Sequence, residues 1–272
     1  MIRLVTDSNS QIPSHLRDEL KVLVVPLTVT VDGVPFLEGV DLDEHGITQA
    51  LARGAAVGTS TPSPGQFLQV YEQAAAEGAD HVLSVHAGGA VSATANAARV
   101  AAGMASVPVE VVDTGSASFP VTLCTWAAGD VLAGGGSVQE AAEAARATAA
   151  IVDNVFIVGT LGLARQGGRL AEGVGEGLPV LALTEGRMRP VGNADNDEQA
   201  VAAMTAYVVE RSAGLPLRVG VGDLGAPQLA DALEQGLRRA LRVEQLVRYV
   251  VGPSVAVHTG VGTVGCVFHA LR

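Results

Sequence analysis

Short apolar runs of β type alternate with amphipathic stretches along this chain, and most runs end in a turn rich in hydroxyls or glycine. Residues 1–6 alternate toward a buried strand and stop at Asp7-Ser8-Asn9-Ser10, after which residues 13–20 have the spacing of a short helix. Residues 22–31 are β-rich and are turned by Asp32-Gly33. Residues 43–52 and 64–77 carry helical spacing, the second with Phe67, Val70, Tyr71 and Ala74 on one face. Residues 81–85 read as a buried strand, 92–104 as an Ala-rich helix and 109–112 as a strand. Strand, turn and helix in repetition predict an α/β architecture.

The second half changes texture. Residues 116–133 predict a long helix holding Cys124 and Trp126 and closed by three glycines, and Ser137 three residues before Glu140 is a capping box for a helix reaching about residue 151. From 155 to 192 glycine and valine dominate with little helical periodicity; 198–212 and 228–241 are helical, each followed by a β-rich run. The expectation is two α/β domains. Residues 1–152 form an N-terminal domain with a mainly parallel sheet flanked by helices, and residues 153–272 a C-terminal domain with a mixed sheet and helices.

Composition narrows the function. With 48% apolar residues in 272 the chain buries a substantial core, and with 3% aromatics that core is packed by Ala, Val, Leu and Gly. A formal charge of −11, with 17 basic residues scattered among 28 acidic ones, argues against a nucleic-acid or anionic-membrane partner. Cys124 and Cys266 lie far apart in apolar surroundings and read as buried thiols of a reducing cytoplasm. Arg3 and Asp7 leave no room for a signal-peptide apolar region. Charged residues such as Arg99, Asp113, Asp153 and Arg165 cut the apolar runs short of the roughly 18 residues a membrane span needs. A cytoplasmic protein is expected, with membrane contact at most transient.

The turns carry whatever chemistry there is. Thr59-Ser60-Thr61-Pro62-Ser63, Val91-Ser92-Ala93-Thr94, Gly167-Gly168-Arg169 and His258-Thr259-Gly260-Val261-Gly262 would gather hydroxyls and backbone N–H groups suited to an anion or carboxylate. Ser63 before Pro64 reads as a helix cap, and Ser92 either caps its helix or binds an anion there. In the glycine turn Arg169 is either a surface charge or a clamp between domains. Gly260 to Gly265 matches G-x-G-x-x-G, but only seven residues follow, too few for the helix of a dinucleotide site. Residues 255–257 read instead as a strand with His258 at its end. Asp7, Asp113 and Glu185 read as caps and turn formers. The six histidines, at 15, 45, 81, 86, 258 and 269, form no metal pattern, and no cofactor is expected. Ser92, His258 and Asp7 could serve a serine hydrolase, although no G-x-S-x-G elbow is present.

In their order and spacing these turns, with Thr6-Asp7-Ser8, Val25-Pro26-Leu27, Val112-Asp113-Thr114 and the run from Leu163 to Arg169, resemble the DegV family of bacterial fatty-acid-binding proteins over essentially the whole chain. The resemblance implies a long-chain fatty acid held between two α/β domains, its carboxylate presented to a separate fatty-acid kinase. The kinase would make acyl-phosphate, and this chain would be neither an enzyme nor an ATP binder. Thr61 and Ser92 would contact the carboxylate, with Ser60 and Thr94 beside them; His258 would support it, and Gly168 and Arg169 would close the head-group end. An esterase using Ser92 and His258 is the alternative. The chain departs from the family where His86-Ala87-Gly88-Gly89-Ala90 replaces a stretch usually holding two serines. It departs again at Gln166, usually lysine, and among Asn193, Ala194 and Asp195, where a basic residue is usual.

Overall fold

A computed structural model describes residues 1–89, 91–172, 174 and 177–271. The chain divides into two compact units, Met1–Leu42 with Ala56–Ala150 and Asp43–Ala55 with Ile151–Arg272.

The first unit begins with β1 (Ile2–Asp7), a 3-10 turn at Ser8–Ser10, α1 (Ser14–Glu19), β2 (Leu23–Val25), β3 (Thr28–Val31) and β4 (Val34–Leu37). After α2 (Glu44–Ala52), which belongs to the second unit, it resumes with β5 (Val57–Ser60), α3 (Pro64–Ala76), β6 (His81–His86), α4 (Thr94–Ala102), β7 (Val109–Asp113), α5 (Phe119–Ala133) and α6 (Val138–Ile151). Its main sheet has the order β2-β1-β6-β7, parallel throughout. Successive strand residues point to opposite faces, which sorts two cores. Val5, Val25 and Val82 meet Phe67, Tyr71 and Ala74 of α3 and Ala98 and Ala101 of α4. Leu4, Leu83, Val85 and Val112 meet Val121, Cys124 and Ala128 of α5 and Ala141, Ala142 and Ala145 of α6. With both faces covered, the strands need the near-continuous apolar runs seen in the sequence.

Residues 22–31 are not one strand. Pro26 has no N–H to give a ladder, and on either side of Pro26-Leu27 β2 joins the parallel sheet while β3 joins an antiparallel one of order β4-β3-β5. Asp32 and Gly33, at φ of 50° and 84°, both take the left-handed conformation that tight hairpins need.

The second unit adds β8 (Asp153–Ile157), α7 (Leu161–Gln166), β9 (Leu178–Thr184), β10 (Arg187–Ala194), α8 (Asp197–Ser212), β11 (Leu217–Asp223), α9 (Pro227–Ala240), β12 (Val243–Val250), α10 (Pro253–Thr259) and β13 (Val264–Ala270). Its sheet is mixed, in the order β10-β9-β8-β13-β11-β12, with only β11 and β12 parallel. Ala200, Met204 and Val208 of α8 and Ala230, Leu233 and Leu237 of α9 pack on Val155, Val219, Val221, Cys266 and Phe268. A smaller cluster of Val158, Ala164, Leu170, Leu181 and Met188 lies under α7, and α2 packs on α10.

One expectation is overturned here. Residues 255–257 are not a strand; they lie in α10, which opens at Pro253 after an extended Gly252, the preferred place for proline in a helix. The glycines at 260 and 262, at φ of 79° and 98°, therefore turn a helix into a strand, the reverse of the strand-to-helix turn that holds a dinucleotide. Among the described residues no helix is long and apolar enough to cross a membrane.

Candidate functional site

In the first unit the predicted hydroxyls assemble where β5 runs into α3 and where β6 runs into α4. Ser63 is consumed structurally: its Oγ accepts the Gln66 N–H at 3.3 Å while the Gln66 side chain accepts the Ser63 N–H at 2.9 Å. Ser60, the last residue of β5, is exposed and Thr61 is half-buried. Thr61 Oγ1 lies 3.3 Å from Ser92 Oγ, which lies 2.7 Å from Thr94 Oγ1 and accepts the Thr94 N–H at 3.3 Å. Ala93, the cap residue of the nine-residue α4, supplies no side-chain cap bond, so Ser92 serves the helix start from one position earlier. Three linked hydroxyls at the positive end of a helix form a pattern that accepts an anion.

The turn carrying Ser92 is held at several points. The Ala87 N–H is given to Asp7 Oδ2 at 3.1 Å, the Gly88 N–H to the Ser116 carbonyl at 2.8 Å, and the Gly89 N–H to the Asp113 carboxylate at 3.2 Å. The Val91 and Ser92 N–H groups both reach the Gly88 carbonyl at 2.9 Å. Ala90 lies outside the described residues. Gly88 is required here: a Cβ on it would stand 2.2 Å from Gly115 Cα. The departure from the usual serine pair is thus matched by a backbone contact with the β7–α5 turn.

Asp7 is not the acid of a Ser92–His258 pair. It is fully buried, and its oxygens receive His86 Nδ1 at 2.9 Å and the N–H groups of Ala87 and Asn9 at 3.1 Å each. The sequence reading treats Asp7 as a turn former, which it is, and leaves His86 without a part. The missed signal was present in β6: with a period of two, Val82, Ser84 and His86 share one face, and two of the three are polar where α3 presents Phe67 and Tyr71.

In the second unit His258, half-buried on α10, and the Gly167-Gly168-Arg169 turn after α7 come together. A Cβ on Gly167 would meet His258 Nδ1 at 2.5 Å, so the glycine lets the turn lie against the imidazole. Gly168 takes φ 65°, which suits glycine, and the Arg169 carbonyl accepts the Met188 N–H at 2.7 Å, tying the turn to β10. Burial first and the nearby Arg169 charge second hold the His258 pKa below its ordinary 6.5. The imidazole is therefore neutral at pH 7, able to donate from one nitrogen and accept at the other. Gln166 and Asn193 are exposed, Ala194 is buried in β10, and the Asp195 N–H is bonded to Gln199. Burial pushes the Cys124 thiol up to about 12 and raises that of Cys266 as well, so both are unreactive core groups. Among the described residues no three His, Cys, Asp or Glu side chains are grouped to hold a metal ion.

Fold and site together define a two-unit α/β protein with a hydroxyl cluster at a helix start. A family model described as "Uncharacterised protein, DegV family" matches residues 1–271, and the chain belongs to the DegV family. It is 35% identical over 273 residues to a DegV domain-containing protein of Streptomyces coelicolor, covering 98% of this chain and 97% of that one. A structure on the fatty-acid binding of a DegV family protein from Thermus thermophilus superposes with a TM-score of 0.92 at 34% identity, covering 99% of each chain. A Thermotoga maritima protein described as revealing fatty-acid binding function shares the fold, with a TM-score of 0.90 at 24% identity over 99% of each chain.

Proposed function

We propose that this protein binds a long-chain fatty acid, with the carboxylate on the Thr61 and Ser92 hydroxyls and Ser60 and Thr94 beside them. His258 and the turn with Gly168 and Arg169 are the second unit's candidate ligand-binding residues. The observation that carries the reading is the linked Thr61–Ser92–Thr94 hydroxyl cluster at the start of α4, in a chain whose Thermus relative is described by its fatty-acid binding. The tail supplies most of the affinity: about 15 methylenes at about 0.8 kcal/mol each give on the order of 10 kcal/mol before the costs of association.

The bound carboxylate would be presented to a separate fatty-acid kinase in the cytoplasm, and acyl-phosphate would be that partner's product. Asp7 bonds His86, which speaks against its serving as the acid of an esterase built on Ser92 and His258. Replacing Thr61 by Val or Ser92 by Ala should weaken palmitate binding by about 1–3 kcal/mol each, the range for hydrogen bonds to a charged group, with the circular dichroism of the fold unchanged. Wild-type affinity in both variants would mean that the hydroxyls serve only α4.

A further inference from the structure

Four buried polar groups form one chain inside the first unit. Tyr71 Oη of α3 lies 2.8 Å from Ser84 Oγ, which lies 2.5 Å from His86 Nε2, and His86 Nδ1 lies 2.9 Å from Asp7 Oδ2. A carboxylate at Asp7 accepts from a proton on Nδ1; with a neutral imidazole, Nε2 accepts from the Ser84 hydroxyl, whose oxygen accepts from Tyr71. The Phe67 ring meets the imidazole edge to face, with centroids 4.9 Å apart and planes at 83°. All four side chains are shielded from water among apolar neighbours, where a larger aliphatic side chain would pack at lower desolvation cost.

What the chain does is visible at its far end. Asp7 accepts the N–H of Ala87, the first residue past β6, and Ala87 is followed by Gly88, whose carbonyl receives the N–H groups of Val91 and Ser92. A continuous series of bonds thus runs from α3 through His86 and Asp7 to the backbone of Ser92, whose hydroxyl stands beside Thr61.

We infer that His86 is a positioning residue for the head-group turn: by orienting Asp7 it sets where Ala87 and Gly88 leave the sheet, and with that the spacing of the Ser92 and Thr61 hydroxyls. As a statement about ligand selectivity this rests on the fatty-acid reading; as a statement about the turn it does not. His86 touches no ligand in this account. It determines whether the hydroxyls are placed to recognise a carboxylate, not whether a tail is bound.

The test compares full-length wild type with His86→Leu, His86→Asn and Ser84→Ala. Binding is measured with palmitate and with hexadecanol, which has the same tail and no carboxylate, and amide exchange is followed over residues 87–92. Asn places an N–H near the position of Nδ1, so it keeps the donor to Asp7, whereas Leu removes it. His86→Leu should lose on the order of tenfold in the preference for palmitate over hexadecanol, with hexadecanol affinity kept and faster exchange confined to the turn. His86→Asn should restore most of the preference, and Ser84→Ala should move it less but in the same direction, which keeps the test open if His86→Leu does not fold. Equal losses for both ligands, or wild-type preference and exchange in His86→Leu and Ser84→Ala, overturn the inference. A wild type that binds neither ligand overturns the fatty-acid reading instead, and exchange that still rises in Leu and recovers in Asn then supports the positioning role alone.

Discussion

Putting a hydroxyl back at Gly88 should damage both the fold and the site, although serines are usual in this stretch of the family. A Cβ on Gly88 would lie 2.2, 2.3 and 2.5 Å from Gly115 Cα, N and C. Non-bonded carbons want about 3.5 Å, so the two backbones must separate by about 1.3 Å. Neither side yields easily. The Gly88 N–H is bonded to Ser116 at 2.8 Å and the Gly89 N–H to Asp113 at 3.2 Å, and a displacement of that size breaks both. Two net hydrogen bonds at about 0.5–1.5 kcal/mol each, with about 1–3 kcal/mol for overpacking, put Gly88→Ser at about 2–6 kcal/mol of lost stability. Gly89→Ser is the control: its Cβ meets nothing nearer than Asp113 Oδ2 at 3.4 Å and its backbone is not left-handed, so the cost should stay below about 1 kcal/mol. Urea denaturation midpoints give the stabilities, and palmitate titration should show weakened binding for Gly88→Ser only. A Gly88→Ser protein with wild-type midpoint and affinity would refute the view that the Gly88–Gly115 contact fixes the head-group turn.

The other predictions concern proton linkage and chemistry. Because the folded His258 pKa lies below 6.5, the unfolded chain takes up a proton first as pH falls, so this residue's share of stability is intact above about pH 6.5 and is lost below it. His258→Gln should therefore show a flatter dependence of stability on pH in that range, and an unchanged slope in denaturation series would remove His258 from the account. The delipidated and reloaded chain should neither cleave acyl esters nor bind ATP, and acyl-phosphate should form only when a fatty-acid kinase is added. Phosphoryl transfer or ester cleavage by the chain alone, measured with labelled ATP and a chromogenic ester, would bring back the esterase or transferase reading.

Much of this was legible from local chemistry. The helix cap at Ser63, the capping box at Ser137, the Asp32-Gly33 hairpin and the helices from α3 to α6 follow from residues within a few positions of one another. The hydroxyl cluster was legible too, since Thr61 and Ser92 each sit just past a β-type run and just before a helix, although β5 belongs to the antiparallel sheet and β6 to the parallel one. What failed was longer in range. Residues 255–257, expected as a strand, lie in a helix that opens at Pro253 and closes at the glycine at 260, against the β preference of their own valines. The role of His86 depends on Asp7, 79 positions earlier and at the end of the neighbouring strand β1, which no window of sequence connects. Likewise the need for glycine at 88 is set by Gly115, on the far side of α4 and β7.

The central claim is that this chain carries a fatty acid, and the most direct measurement is mass spectrometry of the protein purified from a bacterial host. Native spectra should show an added mass that denaturation releases, and organic extraction should yield a long-chain fatty acid at about one per chain, its amount reduced in the Thr61→Val, Ser92→Ala double variant. A stoichiometric nucleotide or sugar in its place, or no lipid after reloading with palmitate, would contradict the account.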